Sequence, residues 1–181
     1  MHCPQCTGYR LEPKELEKGL IAAGCSKCEG AMLSLLNYRF WAEHQKDETI
    51  EKVEVEAVDD LAEGAEKAKV CPKCTRLMTK FKIDLGTANK LDLCVHCDEA
   101  WLDKGEWRLL KQLELDGKLP QIFTDAWQKG LRKEKTLNRV KERYIDMIGK
   151  SDFEKVDDFK AWLLAHPNKK EIKQYLITQY D

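Results

Sequence analysis

All eight cysteines of this 181-residue chain fall into four Cys-x-x-Cys pairs, and the pairs form two sets. Cys3 and Cys6 are followed, after 18 intervening residues, by Cys25 and Cys28. Cys71 and Cys74 are followed, after 19, by Cys94 and Cys97. Both gaps lie in the window of a four-cysteine zinc site. Two residues between paired cysteines let one tight turn aim both sulfurs at one ion, and the second turn completes a tetrahedron. Segments the size of residues 1–40 and 71–110 are too short to stand on a hydrophobic core alone. A structural zinc ion supplies roughly 10–16 kcal/mol of apparent binding free energy at neutral pH. The spacing therefore predicts two Zn2+ ions, one held by Cys3, Cys6, Cys25 and Cys28, the other by Cys71, Cys74, Cys94 and Cys97.

Other uses of paired cysteines compete. Disulfides belong to oxidising compartments, and Met1 leads to Cys3 with no apolar leader between them. A thioredoxin-like redox pair needs a βαβ pattern, which is not evident here. Iron suits a tetrahedral sulfur site as zinc does, so a rubredoxin-like electron carrier is the alternative function.

Net charge is −1 before metal, and 35% of residues are charged. Eight thiolates with two divalent ions lower the charge by about 4 more, so there is no whole-chain basic footprint for nucleic acid. No apolar run is long enough to span a membrane, and the expected location is the cytoplasm. The charge is unevenly placed. Residues 41–70 hold ten acidic and four basic side chains, whereas residues 104–150 hold twelve basic and seven acidic ones.

The two cysteine sets are an internal repeat. With Cys28 laid on Cys97, Ala31 meets Ala100, Met32 meets Trp101, Leu33 meets Leu102, Ser34 meets Asp103 and Tyr38 meets Trp107. Between the knuckles of the second module, Phe81 and Ile83 alternate with lysines up to a turn near Gly86, and residues 90–93 return, as in a half-buried hairpin. In the first module residues 13–18 read as a helical turn and residues 19–23 as a strand. Each ribbon feeds a helix. Asp103 with Glu106 has the spacing of a capping box, and Ser34 takes the cap position in the first module. Residues 43–69 read as an acidic tether, with a short strand possible at Val53, Val55 and Ala57.

The C-terminal third reads as helical. Phe123, Trp127, Leu131, Leu137, Val140, Tyr144 and Met147 recur near the helical period, and Gly149 is a stop signal. Ser151 with Glu154 suggests a further capping box, and Val156, Phe159, Trp162 and Leu163 an apolar face. His166-Pro167 ends that helix, and Asn168 is placed to cap a last one. The expected class is α+β: two small four-cysteine zinc ribbons, each a β-hairpin with a following helix, plus a helical C-terminal region. The divisions are 1–42, 43–69, 70–116 and 117–181.

Cys71-Pro-Lys-Cys74 and Cys94-Val-His-Cys97-Asp-Glu-Ala-Trp101-Leu102-Asp103-Lys-Gly105-Glu106 resemble the bacterial zinc-ribbon family named for its similarity to the ribbon of transcription factor IIB. In that family the second knuckle usually continues Gly-Gly-Val-Trp-Leu-Asp-x-Gly-Glu; here Asp98-Glu99-Ala100 stands in place of Gly-Gly-Val. The first module is similar more loosely, keeping Gly30 and Leu33. The resemblance covers about half the chain. It implies a zinc-binding ribbon and, through the family's name, transcription.

Zinc closed by four thiolates has no open position for water or substrate. No nucleophile triad, phosphate loop or paired-carboxylate motif stands out. The scattered His2, His44, His96 and His166 read as surface or helix-end residues. These features point to a non-enzymatic adaptor or regulator, with no small-molecule substrate and no membrane partner. A protein or a nucleic acid is the partner. Lys129, Arg132, Lys133, Arg139 and Arg143 can share one side of a helix and track phosphates, and Lys80, Lys82 and Lys90 add a weaker basic patch. The aromatic interleaving used to stack bases is missing from that stripe.

Overall fold

The computed structural model describes residues 1–45 and 67–178. The acidic tether, with its suggested strand at residues 53–57, lies mostly outside the described residues. The chain forms two compact units, Met1–Leu131 and Arg132–Asp181.

The first unit is built on six strands: β1 (Leu11–Glu17), β2 (Leu20–Cys25), β3 (Ala31–Ser34), β4 (Thr79–Lys82), β5 (Lys90–Cys94) and β6 (Glu99–Leu102). They form one antiparallel sheet in the order β1-β2-β3-β6-β5-β4. The two expected hairpins, β1–β2 and β4–β5, are thereby parts of one larger sheet. Each ribbon carries a third strand, β3 or β6, and these two strands pair with each other. Both are four residues long and mostly buried, so they lack the alternation that marks a half-exposed strand. Met32 and Trp101, which correspond in the repeat, are also register partners across the seam.

The expected helical turn at residues 13–18 is corrected to strand. β1 lies at the sheet edge, the place in a sheet where a proline such as Pro13 is tolerated. Gly19 turns the chain into β2 with φ of 80°, a conformation that glycine adopts without strain. The hairpin expected in the second module is present as β4 and β5, with Phe81 paired to Leu91.

Period-two geometry gives the sheet two different faces. Ala31, Leu33, Leu91, Leu93, Ala100 and Leu102 join a core with the helices. Those helices are α1 (Leu35–Gln45), α2 (Glu106–Gln112) and α3 (Leu119–Ile122). Tyr38 of α1 is 1% exposed; its hydroxyl donates to the Asp116 carbonyl at 2.6 Å and accepts the Leu119 N–H at 3.2 Å. The Trp41 ring packs edge-on against Trp107 of α2, with centroids 5.8 Å apart. Met32 and Trp101 point to the other face, where they cluster with Cys3, Cys25, Cys71, Cys94 and Met78.

The long α4 (Asp125–Ile148) begins two residues later than the periodicity of Phe123 suggests. Thr124 Oγ1 accepts the Trp127 N–H at 3.2 Å, the bond of an N-cap. The side chain of Gln128 then acts as a seventh strand in miniature, accepting the Lys82 N–H at 3.3 Å and donating to the Lys82 carbonyl at 2.9 Å. That closes part of the open edge of β4.

The second unit contains the remainder of α4, α5 (Lys150–Ala165) and α6 (Lys169–Ile177). Gly149 stops α4 with φ of 82° and precedes the first residue of α5. The expected capping box at Ser151 is absent, because Ser151 lies inside α5 and no side chain caps its start. Asn168 holds the cap position of α6 without a side-chain bond. Of the expected α5 face, Leu163 is buried and Val156, Phe159 and Trp162 are exposed.

Candidate metal centres

The eight cysteines converge as two clusters, Cys3/Cys6/Cys25/Cys28 and Cys71/Cys74/Cys94/Cys97. In each, the sulfurs all lie within 4.8 Å of one another. Cys3 and Cys28 sulfurs are 3.6 Å apart and Cys74 and Cys94 sulfurs 3.5 Å. Four sulfurs at about 2.3 Å from a common ion are separated by about 3.8 Å, so the residues fit a tetrahedral metal. Among the described residues no histidine or carboxylate joins either cluster.

Local backbone geometry makes each site. The N–H groups of Gln5 and Cys6 point at the Cys3 sulfur at 3.4 and 3.3 Å, so the tight turn itself stabilises a thiolate. The Cys3 N–H bonds the Tyr9 carbonyl and the Cys71 N–H the Arg76 carbonyl, both at 2.8 Å. In the second knuckles Glu29 and Asp98, equivalent in the repeat, adopt φ of 58° and 55°. Asp98 thus takes the left-handed conformation, one that a short polar side chain tolerates.

The thiols are electrostatically unequal. Burial pushes Cys25 up, but N–H donors from Cys28 and Lys27 and the thiols of Cys3 and Cys28 outweigh it and hold it at about 7. The Arg76 N–H leads the groups that bring Cys74 to about 7, against its slight desolvation. Burial is the main cause that raises Cys3, Cys28 and Cys71. A bonded Cys74 thiol and desolvation push Cys97 to about 12. A divalent metal must therefore displace protons when it binds.

A buried polar network on the same face ties the two centres together. Lys69, 1% exposed, donates to Asp92 Oδ2 and Asp103 Oδ2, each at 2.9 Å. Lys80 adds a second cation to Asp92 at 2.8 Å. Asp103 Oδ1 accepts the Trp101 indole N–H at 2.7 Å and the Gln5 amide at 2.8 Å. Gln5 sits between Cys3 and Cys6, so an acid from the second ribbon grips the knuckle of the first. Trp101 also packs so closely on Gly30 that a Cβ there would lie 2.9 Å from its Cε2 and nearer still to Cζ2. Burial lowers the Lys69 pKa, yet its bonds to Asp92 and Asp103 prevail and the net shift is upward.

Glu106 completes this network. Its Oε2 accepts the Asp103 N–H at 2.8 Å while its Oε1 has no partner. The expected capping box is thus half present. Glu106 makes its reciprocal bond, but Asp103 is engaged elsewhere and Gly105 occupies the N-cap. Two cations already balance Asp92 and Asp103, so a third carboxylate is left uncompensated. Burial first, and the Asp103 charge second, raise Glu106 to about 8.

Sequence reasoning missed Lys69, Asp92 and Gln5 as a linking network. Asp92 had a signal, since it alternates with Leu91 and Leu93 and so faces away from them. Lys69 carried none, because it sits at the end of an acidic stretch that reads as tether.

The five basic residues Lys129, Arg132, Lys133, Arg139 and Arg143 all lie on α4 and are exposed. The weaker hairpin patch is diminished, because Lys80 is engaged by Asp92. His2 and His96 are exposed beside the ligands. His44 bonds the Phe40 carbonyl, and His166 Nδ1 accepts the Asn168 N–H. No described helix is long and apolar enough to cross a membrane. Comparison of the chain with protein-family models, curated proteins and solved structures returns no match.

Proposed function

We propose that this chain is a non-enzymatic zinc protein, a tandem zinc ribbon of the transcription-factor-IIB type, that acts as an adaptor or regulator on a macromolecular partner. The observation that carries this reading is the convergence of eight thiols into two four-sulfur clusters that pack with Met32 and Trp101 on one face of a continuous sheet. Four thiolates saturate a tetrahedral ion, so each metal braces structure rather than presenting a reactive site. The resemblance of residues 94–106 to the family's second knuckle supports the same reading. The reduced thiols fit a cytoplasmic setting.

Metal content and visible absorbance of the purified chain test the scaffold. Two zinc ions per chain with no colour are expected. Red protein that still holds iron after preparation in zinc-supplemented medium overturns the zinc assignment in favour of electron transfer.

A further inference from the structure

On α4, Leu137, Val140, Tyr144 and Met147 recur at three-four-three spacing and are all exposed. That is the seam of a coiled coil over two heptads. In the second unit Leu163 is the one buried apolar residue among those described, so this seam has no cover within it. Arg132, Arg139 and Arg143 line one side of the seam and Lys133 continues it toward the helix start. The Arg143 guanidinium lies 5.5 Å from the Tyr144 ring centroid, against the seam. Lys141, on the other side, reaches Asp157 at 3.5 Å. Between Leu137 and Met147 the acids of α4 are Glu142, which helical geometry turns to the back of the seam, and Asp146, which follows Arg139 by one heptad and is outnumbered on that side by Arg132, Arg139 and Arg143.

We propose that this face of α4 docks an acidic amphipathic helix of a protein partner. Such a helix supplies what both halves of the surface lack: apolar side chains for the seam and carboxylates for its cationic border. A nucleic-acid backbone satisfies the cations but leaves four apolar side chains facing phosphate and water. A second copy laid antiparallel along the seam sets Arg143 against itself. The proposal names the partner class of the adaptor reading and rests on it, yet the two fail separately. Zinc content reports on the scaffold, and helix binding reports on the partner.

The test uses the full chain and fluorescent designed peptides of three heptads with leucine at both seam positions. One peptide carries glutamate at the flanking positions and the other lysine. The glutamate peptide is expected to bind at least about tenfold tighter, with affinity falling as salt rises. Val140→Asp with Met147→Asp removes that binding. Lys133→Glu with Arg143→Glu reverses the preference toward the lysine peptide. All four positions are exposed, so the sheet and its metal content stay intact. Equal binding of the two peptides, or none, overturns the proposal. So does binding of a mixed-sequence DNA duplex that the charge reversal abolishes and Val140→Asp with Met147→Asp leaves unchanged; the adaptor reading then stands with nucleic acid as its partner. Seam-dependent self-association in ultracentrifugation, with no peptide bound, overturns it in favour of a second copy.

Discussion

Glu106 makes the stability of the sheet depend on pH in a range where glutamates are ordinarily silent. In the unfolded chain a glutamate loses its proton near pH 4.3; in the folded chain Glu106 keeps it to about 8, chiefly because of burial. Between those values the folded state binds more protons, so stability falls as pH rises and levels off above the folded value. The slope is about 1.4 kcal/mol per pH unit. From about pH 6 to about pH 8, the loss is therefore roughly 2 kcal/mol, allowing for the flattening near the folded pKa. Glu106→Gln keeps an oxygen for the Asp103 N–H and the same shape, but has no proton to lose. Zinc-bound thiolates take up protons on unfolding in both proteins alike, so Glu106 is read as a difference: across that range, in urea unfolding at saturating zinc, wild type should lose roughly 2 kcal/mol relative to Glu106→Gln. Parallel curves for the two proteins would refute the claim that Glu106 is folded in its neutral form.

Cys94→Ser should lower zinc content by about one ion per chain and unfold the second ribbon; two ions with an unchanged thermal transition would contradict the ligand assignment. Lys69→Met should cost about 3–5 kcal/mol in denaturant unfolding, because Asp103 is left as a buried charge without its cation, and a loss below about 1 kcal/mol would mean the network is dispensable. Gly30→Ala forces a methyl into Trp101, so it should cost about 1–3 kcal/mol, shift the tryptophan emission and speed chelator removal of one zinc ion; unchanged emission and zinc release would argue against the close packing.

The two four-cysteine clusters were legible in the sequence because their paired spacing repeats. The β4–β5 hairpin was legible because Phe81 and Ile83 alternate with lysines. β3 and β6 were not, since a strand buried on both faces has no period to read. The union of the ribbons depends on backbone bonds between β3 and β6, which are indifferent to side-chain identity. Asp103 shows how local pattern can mislead. Its spacing to Glu106 fits a cap, but Lys69 and Gln5, distant in sequence, compete for the same carboxylate.

Two identical ribbons joining through their third strands would set like against like on their twofold axis. In this chain the axis passes between Met32 and Trp101. The flat indole lies over Gly30, whereas Glu99 occupies the corresponding place in the other half. A self-pairing ribbon cannot make that choice, because any residue it selects appears on both sides. Joining both halves in one polypeptide removes the constraint. One half can keep the large ring and the other the space it fills, so the duplication permits an asymmetric centre that no symmetric dimer of either half could contain.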